Sequence, residues 1–285
     1  MGCAINPRCS SELELKLIPT DNKKKIVVIG GGIAGMQAAK DLALRGHEVD
    51  LYEATDKLGG AFIAASSMSF KESDKKLIKW FENECVKAGV NIVMNTVVTR
   101  ELIEANDYDE IIVATGSTAR TLKDIPGIEN VKIINAIDAL TKAEPVGDNV
   151  VVIGGGLTGI EMTYDMVLSG KEVDIIEMQD KILVGVPAAN AMMLKQLIKY
   201  HQIPIHLSAS ITKFEEEKVY YKVNDEEKCI ECDTIISSIG YLPNTDLYDQ
   251  LKELYGDKVH LIGDSKKVSN LLNATWSAAE LAVTL

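Results

Sequence analysis

The sequence predicts an α/β fold made of two similar parallel-sheet units and a small antiparallel β-meander. Three observations carry this. An apolar run, Lys25 to Ile29, stops at Gly30-Gly31-Gly32-Ile33-Ala34-Gly35, with glycines spaced G-x-G-x-x-G, and a helical pattern follows through Gln37, Ala38, Ala39, Leu42 and Arg45. The same unit returns 124 residues later, where Val150 to Ile153 runs into Gly154, Gly156 and Gly159. Residues 211–239 hold short apolar runs between charged clusters, the pattern of paired antiparallel strands.

Strand, glycine turn and helix together make a Rossmann-like dinucleotide-binding unit. The glycines allow a sharp turn and let backbone N–H groups approach a pyrophosphate, while the helix turns its positive dipole end toward that anion. The dipole contributes only about 0.3–1 kcal/mol per interaction, so the shape of the loop does much of the selecting. In both units a second strand follows, and each ends in a carboxylate 23 residues after the first glycine: Glu48-Val49-Asp50-Leu51-Tyr52-Glu53 and Glu172-Val173-Asp174-Ile175-Ile176-Glu177. A carboxylate there accepts hydrogen bonds from ribose hydroxyls. The single offset of 124 also relates Gly46 to Gly170, Asp50 to Asp174, and Asp56-Lys57 to Asp180-Lys181.

The remaining elements follow in order. Residues 1–22 lack periodicity and read as an extended lead-in. Gly59-Gly60, after the second strand, suits backbone lying close to an extended ligand. Residues 72–88 read as a helix with Leu77, Trp80, Phe81 and Val86 on its core side, stopped by Gly89, before a short strand at 90–94. Asp109 to Gly116 reads as a buried strand whose Ala114-Thr115-Gly116 end is small enough for close approach of a ligand. Pro126-Gly127 marks a turn in a crossover reaching about residue 148. Residues 188–202 read as an amphipathic helix with Met192, Met193, Leu197 and Ile198 in the core. Residues 235–244 read as a strand ending in a Gly/Pro turn around Gly240. Val259 to Asp264 reads as a strand ending in Gly263-Asp264, and a helix runs from about Asn273 to the terminus.

Composition excludes several function classes. A net charge of −12 argues against nucleic acid or an anionic membrane as a partner. No apolar run reaches the roughly 18 residues of a membrane span, and Arg8, Glu12, Glu14 and Lys16 interrupt any signal-peptide core. Five cysteines without a framework spacing point to a reducing, cytoplasmic setting.

Over residues 24–285 the chain resembles the flavoproteins with two dinucleotide-binding domains. The resemblance rests on the first glycine motif with Glu53, on Gly59-Gly60, on Ala114-Thr115-Gly116, on the second motif with Glu161 and Glu177, and on Gly263-Asp264. It implies that the first motif (Gly30, Gly32, Ala34, Gly35) binds FAD and the second a nicotinamide cofactor. Residues 24–120 and 235–285 would form the FAD domain and 121–234 the inserted NAD(P) domain, behind a lead-in at 1–23. Asp264 would lie near the FAD ribityl and pyrophosphate, and the final helix, through Ala274, would face the flavin; Gly240 joins the cofactor-binding set.

Departures from the superfamily narrow the choice. No cysteine pair lies beside Gly59-Gly60 and no C-x-x-C precedes the second motif, and the third, dimerisation domain of glutathione reductase-like enzymes is not expected here. Cys3-Ala4-Ile5-Asn6-Pro7 instead resembles the junction of old-yellow-enzyme-like iron–sulfur flavoproteins, the 2,4-dienoyl-CoA reductases, 2-enoate reductases and trimethylamine dehydrogenase. There an FMN-bearing barrel of about 250 residues precedes a 4Fe–4S cluster, and Cys3 would match its last ligand. The resemblance thus implies a C-terminal module that moves hydride from NADH to FAD and electrons onward to a cluster and an FMN barrel. A second reading is a structural module that binds adenine nucleotide without redox chemistry, as in trimethylamine dehydrogenase-like proteins.

Hydride transfer needs alignment and exclusion of water more than an acid or base, so no catalytic residue is named. Glu177 favours NAD over NADP, because its carboxylate repels a 2′-phosphate, although Lys181 lies near. Glu161 either orders the nicotinamide side or forms a helix salt bridge. Cys229 and Cys232 read as structural, since positions i and i+3 of a strand face opposite sides.

Overall fold

The computed structural model describes residues 2–285, so Met1 of the expected lead-in lies outside the described residues. In chain order the elements are β1 (Lys25–Ile29), α1 (Ile33–Arg45), β2 (Glu48–Tyr52), α2 (Ala61–Ser66), α3 (Glu72–Lys87), β3 (Asn91–Val93), α4 (Arg100–Glu104), β4 (Glu110–Val113), β5 (Ser117–Ala119), β6 (Ile133–Asn135), α5 (Ala136–Leu140) and β7 (Asn149–Ile153). There follow α6 (Leu157–Leu168), β8 (Glu172–Ile176), α7 (Ala188–Tyr200), β9 (Ile205–His206), β10 (Ser210–Glu215), β11 (Lys218–Val223), β12 (Glu226–Glu231), β13 (Thr234–Ser237), β14 (Tyr241–Pro243), α8 (Asp246–Tyr255), β15 (Val259–Leu261) and α9 (Leu271–Thr284).

The chain divides into two compact units. One comprises the residues up to Ile63, Ser73–Thr118 and Leu242–Leu285; the other comprises Ala64–Glu72 and Ala119–Tyr241. The first is built on a parallel sheet of order β15-β4-β1-β2-β3. Side chains alternate across β1: Ile26 and Val28 enter one core with α1, α3 and α9, while Val27 and Ile29 enter another with Tyr108 and Leu251. Coverage on both faces is why these strands read as unbroken apolar runs.

The second unit repeats the plan in a parallel sheet of order β6-β13-β7-β8-β9. Val150 and Val152 face one core; Val151 and Ile153 face the other, shared with Phe214, Val219 and Tyr221 of the meander β10-β11-β12. The strand expected over 235–244 opens the segment assigned to the first unit, and this is corrected: β13 is hydrogen-bonded between β6 and β7. The reason is the repeat itself. β13 stands 124 residues after β4 and takes the same place beside β7 that β4 takes beside β1.

Three further expectations change. The inward face of α3 is Leu77, Phe81 and Cys85, whereas Trp80 and Val86 are exposed; the Trp80 ring instead receives the Lys40 ammonium 5.2 Å from its centre. On α7 the buried residues are Leu194 and Ile198, and Met192 and Met193 face solvent. The lead-in is a chain of turns rather than extended: its Leu15 is buried, and Arg8 pairs at 2.8 Å with Asp41, a carboxylate wholly buried in α1. Among the described residues no helix is long and apolar enough to cross a membrane.

Candidate functional site

Each unit carries one glycine turn, and the two are built alike. Gly30 has φ +111° and Gly154 φ +114°; a Cβ at either would stand 2.4 Å from the Ala114 carbonyl oxygen or 2.3 Å from that of Ser238. At the helix side of each turn, a Cβ on Gly35 or Gly159 would meet the carbonyl oxygen of Gly30 or Gly154 at 1.9 or 2.3 Å. These four positions therefore admit only glycine. The middle positions differ in kind: at Gly32 and Gly156 a Cβ would point into open space. Both residues open a helix without a side-chain cap and without an acidic residue in its first turn. The helices α4, α5 and α9, by contrast, are capped by Thr99, Asn135 and Asn270. An open, uncapped helix start suits an anionic group.

Behind each turn lies a buried carboxylate. Glu53 accepts the Gly31 N–H at 2.8 Å on one oxygen, and on the other the Thr55 N–H at 2.9 Å and hydroxyl at 2.8 Å. Glu177 accepts the Gly155 N–H at 2.6 Å and the Gln179 N–H at 2.7 Å. Both residues are 8% exposed. Each carboxylate is thus pinned against its own glycine turn by backbone N–H groups on both sides of it.

A third wall closes each turn. In the first unit, Gly59 donates to Gly31 O at 2.9 Å, and a Cβ on Gly60 would sit 3.2 Å from the Gly32 Cα. In the second, Leu183 donates to Gly155 O at 2.9 Å with φ +60°. Leu58 and Ile182 cover Gly31 and Gly155 correspondingly. The strand ends also match: Ala114 donates to Ile29 O and Ser238 to Ile153 O, both at 2.8 Å, and Gly116 and Gly240 follow at φ +72° and +94°. Leu183 and Ser238 escaped the sequence reading. Carrying the offset of 124 beyond the second strand, from Gly59 and Ala114, finds both.

Only the first unit adds Gly263 and Asp264. Gly263 has φ +63°, and a Cβ there would lie 2.7 Å from that of Ala34, so both positions stay small. Burial pushes the Asp264 carboxyl up from its ordinary 3.8, against hydrogen bonds from the Ser269 N–H and the Ser117 hydroxyl. Thr115 is tied through its hydroxyl to Asn244 O at 3.0 Å. The final helix begins at Leu271 because Asn270 caps it through the Asn273 N–H at 3.1 Å; Ala274 sits half-buried in that helix against the core.

Glu161, on α6, pairs with a lysine outside its own helix. Its carboxylate meets Lys71 Nζ at 2.6 Å, a partner that no local pattern in the sequence marks. The Cys3 carbonyl accepts from Trp276 Nε1 at 3.1 Å and its Sγ from the Asn6 N–H at 3.4 Å. Backbone hydrogen bonds from Asn6 and Ile5 draw the thiol below its ordinary value. Among the described residues no three His, Cys, Asp or Glu side chains gather to hold a metal. Cys229, on β12, is exposed, and Cys232, just past the end of that strand, is buried.

The family model for the pyridine nucleotide-disulphide oxidoreductases matches residues 24–259. The chain is 41% identical over 285 residues to the cinnamate reductase of Clostridium sporogenes, covering 99% of this chain and 42% of that protein. It is 34% identical over 298 residues to the NADH oxidase of Thermoanaerobacter brockii, covering 99% and 44%. The solved structure of 2-naphthoyl-CoA reductase in complex with 2-naphthoyl-CoA matches with a TM-score of 0.93 at 28% identity, over 100% of this chain and 44% of that one. The chain spans less than half the length of each of these relatives.

Proposed function

Since the chain belongs to the pyridine nucleotide-disulphide oxidoreductase family, we propose that it is an NADH-oxidising flavin module serving a larger reductase. FAD, when bound, supplies the acceptor for the nicotinamide hydride and hands the electrons to a further centre. The observation that carries this reading is the duplicated turn: twice, an uncapped glycine-lined helix start stands beside a buried carboxylate pinned by the second glycine.

The residues fit the two dinucleotides. Gly30, Gly32, Ala34 and Gly35 would receive the FAD pyrophosphate at the start of α1, with Glu53 on the ribose hydroxyls and Gly59, Gly60, Ala114, Thr115 and Gly116 as the close walls. Gly263 and Asp264 would border the same cofactor, with Ala274 beyond. Gly154, Gly156 and Gly159 would receive the nicotinamide dinucleotide, with Glu177 on its ribose, Glu161 on the nicotinamide side and Gly240 as the far wall. Glu177 selects NADH: its fixed, buried carboxylate accepts a 2′-hydroxyl and repels a 2′-phosphate. No side chain is assigned as acid or base, since alignment and water exclusion carry the hydride step.

We further propose that the electrons leave toward a 4Fe–4S and FMN-bearing portion, with Cys3 as one cluster ligand. The turn-rich lead-in, fastened by Trp276 and Arg8, supports a fixed position for that thiol. Five free cysteines support a cytoplasmic setting.

The test is the colour of the purified chain. Loaded with FAD and held anaerobically, its visible flavin absorbance should bleach with NADH and much more slowly with NADPH. A colourless protein that retains ADP overturns this reading in favour of a structural nucleotide-binding module.

A further inference from the structure

Glu177 is aimed by its backbone as well as by its side chain. Its N–H donates to His206 O at 2.9 Å, and its carbonyl accepts from Ala209 at 3.0 Å. The carboxylate therefore depends on where β9 lies. That strand is only two residues long and forms the edge of its sheet, so its short pairing with β8, Ile205 beside Ile175 and His206 beside Ile176, does little to hold it.

Side chains supply what the ladder lacks. His206 Nε2 meets Asp174 Oδ1 on β8 at 2.7 Å, and its Nδ1 meets the Tyr221 hydroxyl on β11 at 2.9 Å. A neutral ring satisfies both, donating from Nε2 to the carboxylate and accepting at Nδ1. Tyr221 is buried in the core that the meander shares with the sheet, so the chain of bonds ends on a fixed point.

The first unit uses the same device with different residues. Asp50, which stands 124 residues before Asp174, accepts from Asn91 Nδ2 at 2.7 Å on the edge strand β3 and from the Tyr108 hydroxyl at 2.8 Å. Glu53 in turn donates its N–H to Val93 O and accepts from Thr96 N, both at 2.9 Å. In both units an aspartate on the second strand fastens the edge strand, which places the carboxylate behind the glycine turn.

We infer that Asp174, His206 and Tyr221 form a positioning latch for Glu177 and so set the affinity of the second turn for NADH without touching it. The inference rests on the proposed NADH site. None of the three is a catalytic residue.

The full chain with FAD bound tests this through His206→Leu, which removes both bonds, and His206→Gln, whose amide can still donate to Asp174. His206→Leu should raise the KM for NADH about tenfold, the scale of a lost charge-assisted hydrogen bond, while kcat and FAD content stay within about twofold. His206→Gln should recover most of the loss. Amide hydrogen exchange at Glu177 and Ala209, measured without nucleotide, should quicken in His206→Leu and return in His206→Gln. If His206→Leu does not fold, Tyr221→Phe carries the same two measurements. An unchanged KM with unchanged exchange overturns the latch, as does a fall in kcat with KM intact. Wild-type chain that ignores NADH overturns the proposed function, and the exchange measurement still decides the latch.

Discussion

Gly154 shows how little freedom the second turn has. Its φ of +114° is open to glycine, and the Ser238 carbonyl that a Cβ would strike cannot swing away, because the Ser238 N–H is held by Ile153 O at 2.8 Å. Gly154→Ala should keep its FAD, lose NADH-dependent bleaching, and be destabilised by about 2 kcal/mol in urea titrations. Asp264 offers a second check. Burial holds its folded carboxyl above the ordinary 3.8, so folding disfavours its charged form. Below the ordinary value the proton is on in both states and nothing is lost. As pH rises from there through the folded value, the unfolded chain releases its proton more readily and stability falls. In the chain without FAD, Asp264→Asn should therefore raise Tm at neutral pH, and the gain should vanish in acid. A gain that persists below the ordinary carboxylate range would falsify this account.

Among the elements, the lead-in is held most unusually. Asp41 is wholly buried and is shared by Arg8 at 2.8 Å, Lys40 at 3.3 Å and Gln37 at 2.6 Å. Arg8→Ala leaves a buried carboxylate with one cation fewer and should cost about 2–3 kcal/mol, with faster proteolysis between residues 8 and 18 as the direct readout. None of this was legible beforehand, because Arg8 and Asp41 sit in unrelated local patterns. The turns themselves were legible: glycine spacing, strand-end carboxylates and the offset of 124 are all local or periodic signals. The faces of α3 and α7 were only half legible. Periodicity found the helices, but which of Trp80, Phe81, Met192 and Leu194 turned inward depended on neighbours far away in sequence.

At the scale of the molecule, two units with separate cores should answer to separate ligands. In calorimetry FAD should raise the transition of the unit built on β1, and NADH that of the unit built on β7. A ligand at a hundredfold over its Kd adds about 2.7 kcal/mol to the unit it binds. Phe81→Ala, which opens a cavity at a fully buried site of the first unit, should lower only the first transition, by about 3–4 kcal/mol. A single transition that moves with either ligand alone would count against separate cores.

The sequence by itself determined the two glycine turns, their helices, and the carboxylates behind them. Each is specified within about thirty residues by backbone sterics and strand or helix period. The offset of 124, carried past the second strand, also reaches β13, Ser238 and Leu183, whereas tertiary structure alone decided that Lys71 takes Glu161 and that Arg8 reaches Asp41. It also decided that the outermost strand beside β4 comes from the chain's end, β15, while its counterpart beside β13 precedes the repeat as β6. The physical reason is that such partners are distant in sequence: no local pattern around Lys71 or Glu161 marks the pair, and strands are no different. A parallel strand is recruited by the open edge and apolar face it completes, and nothing in its own few residues records which sheet that will be.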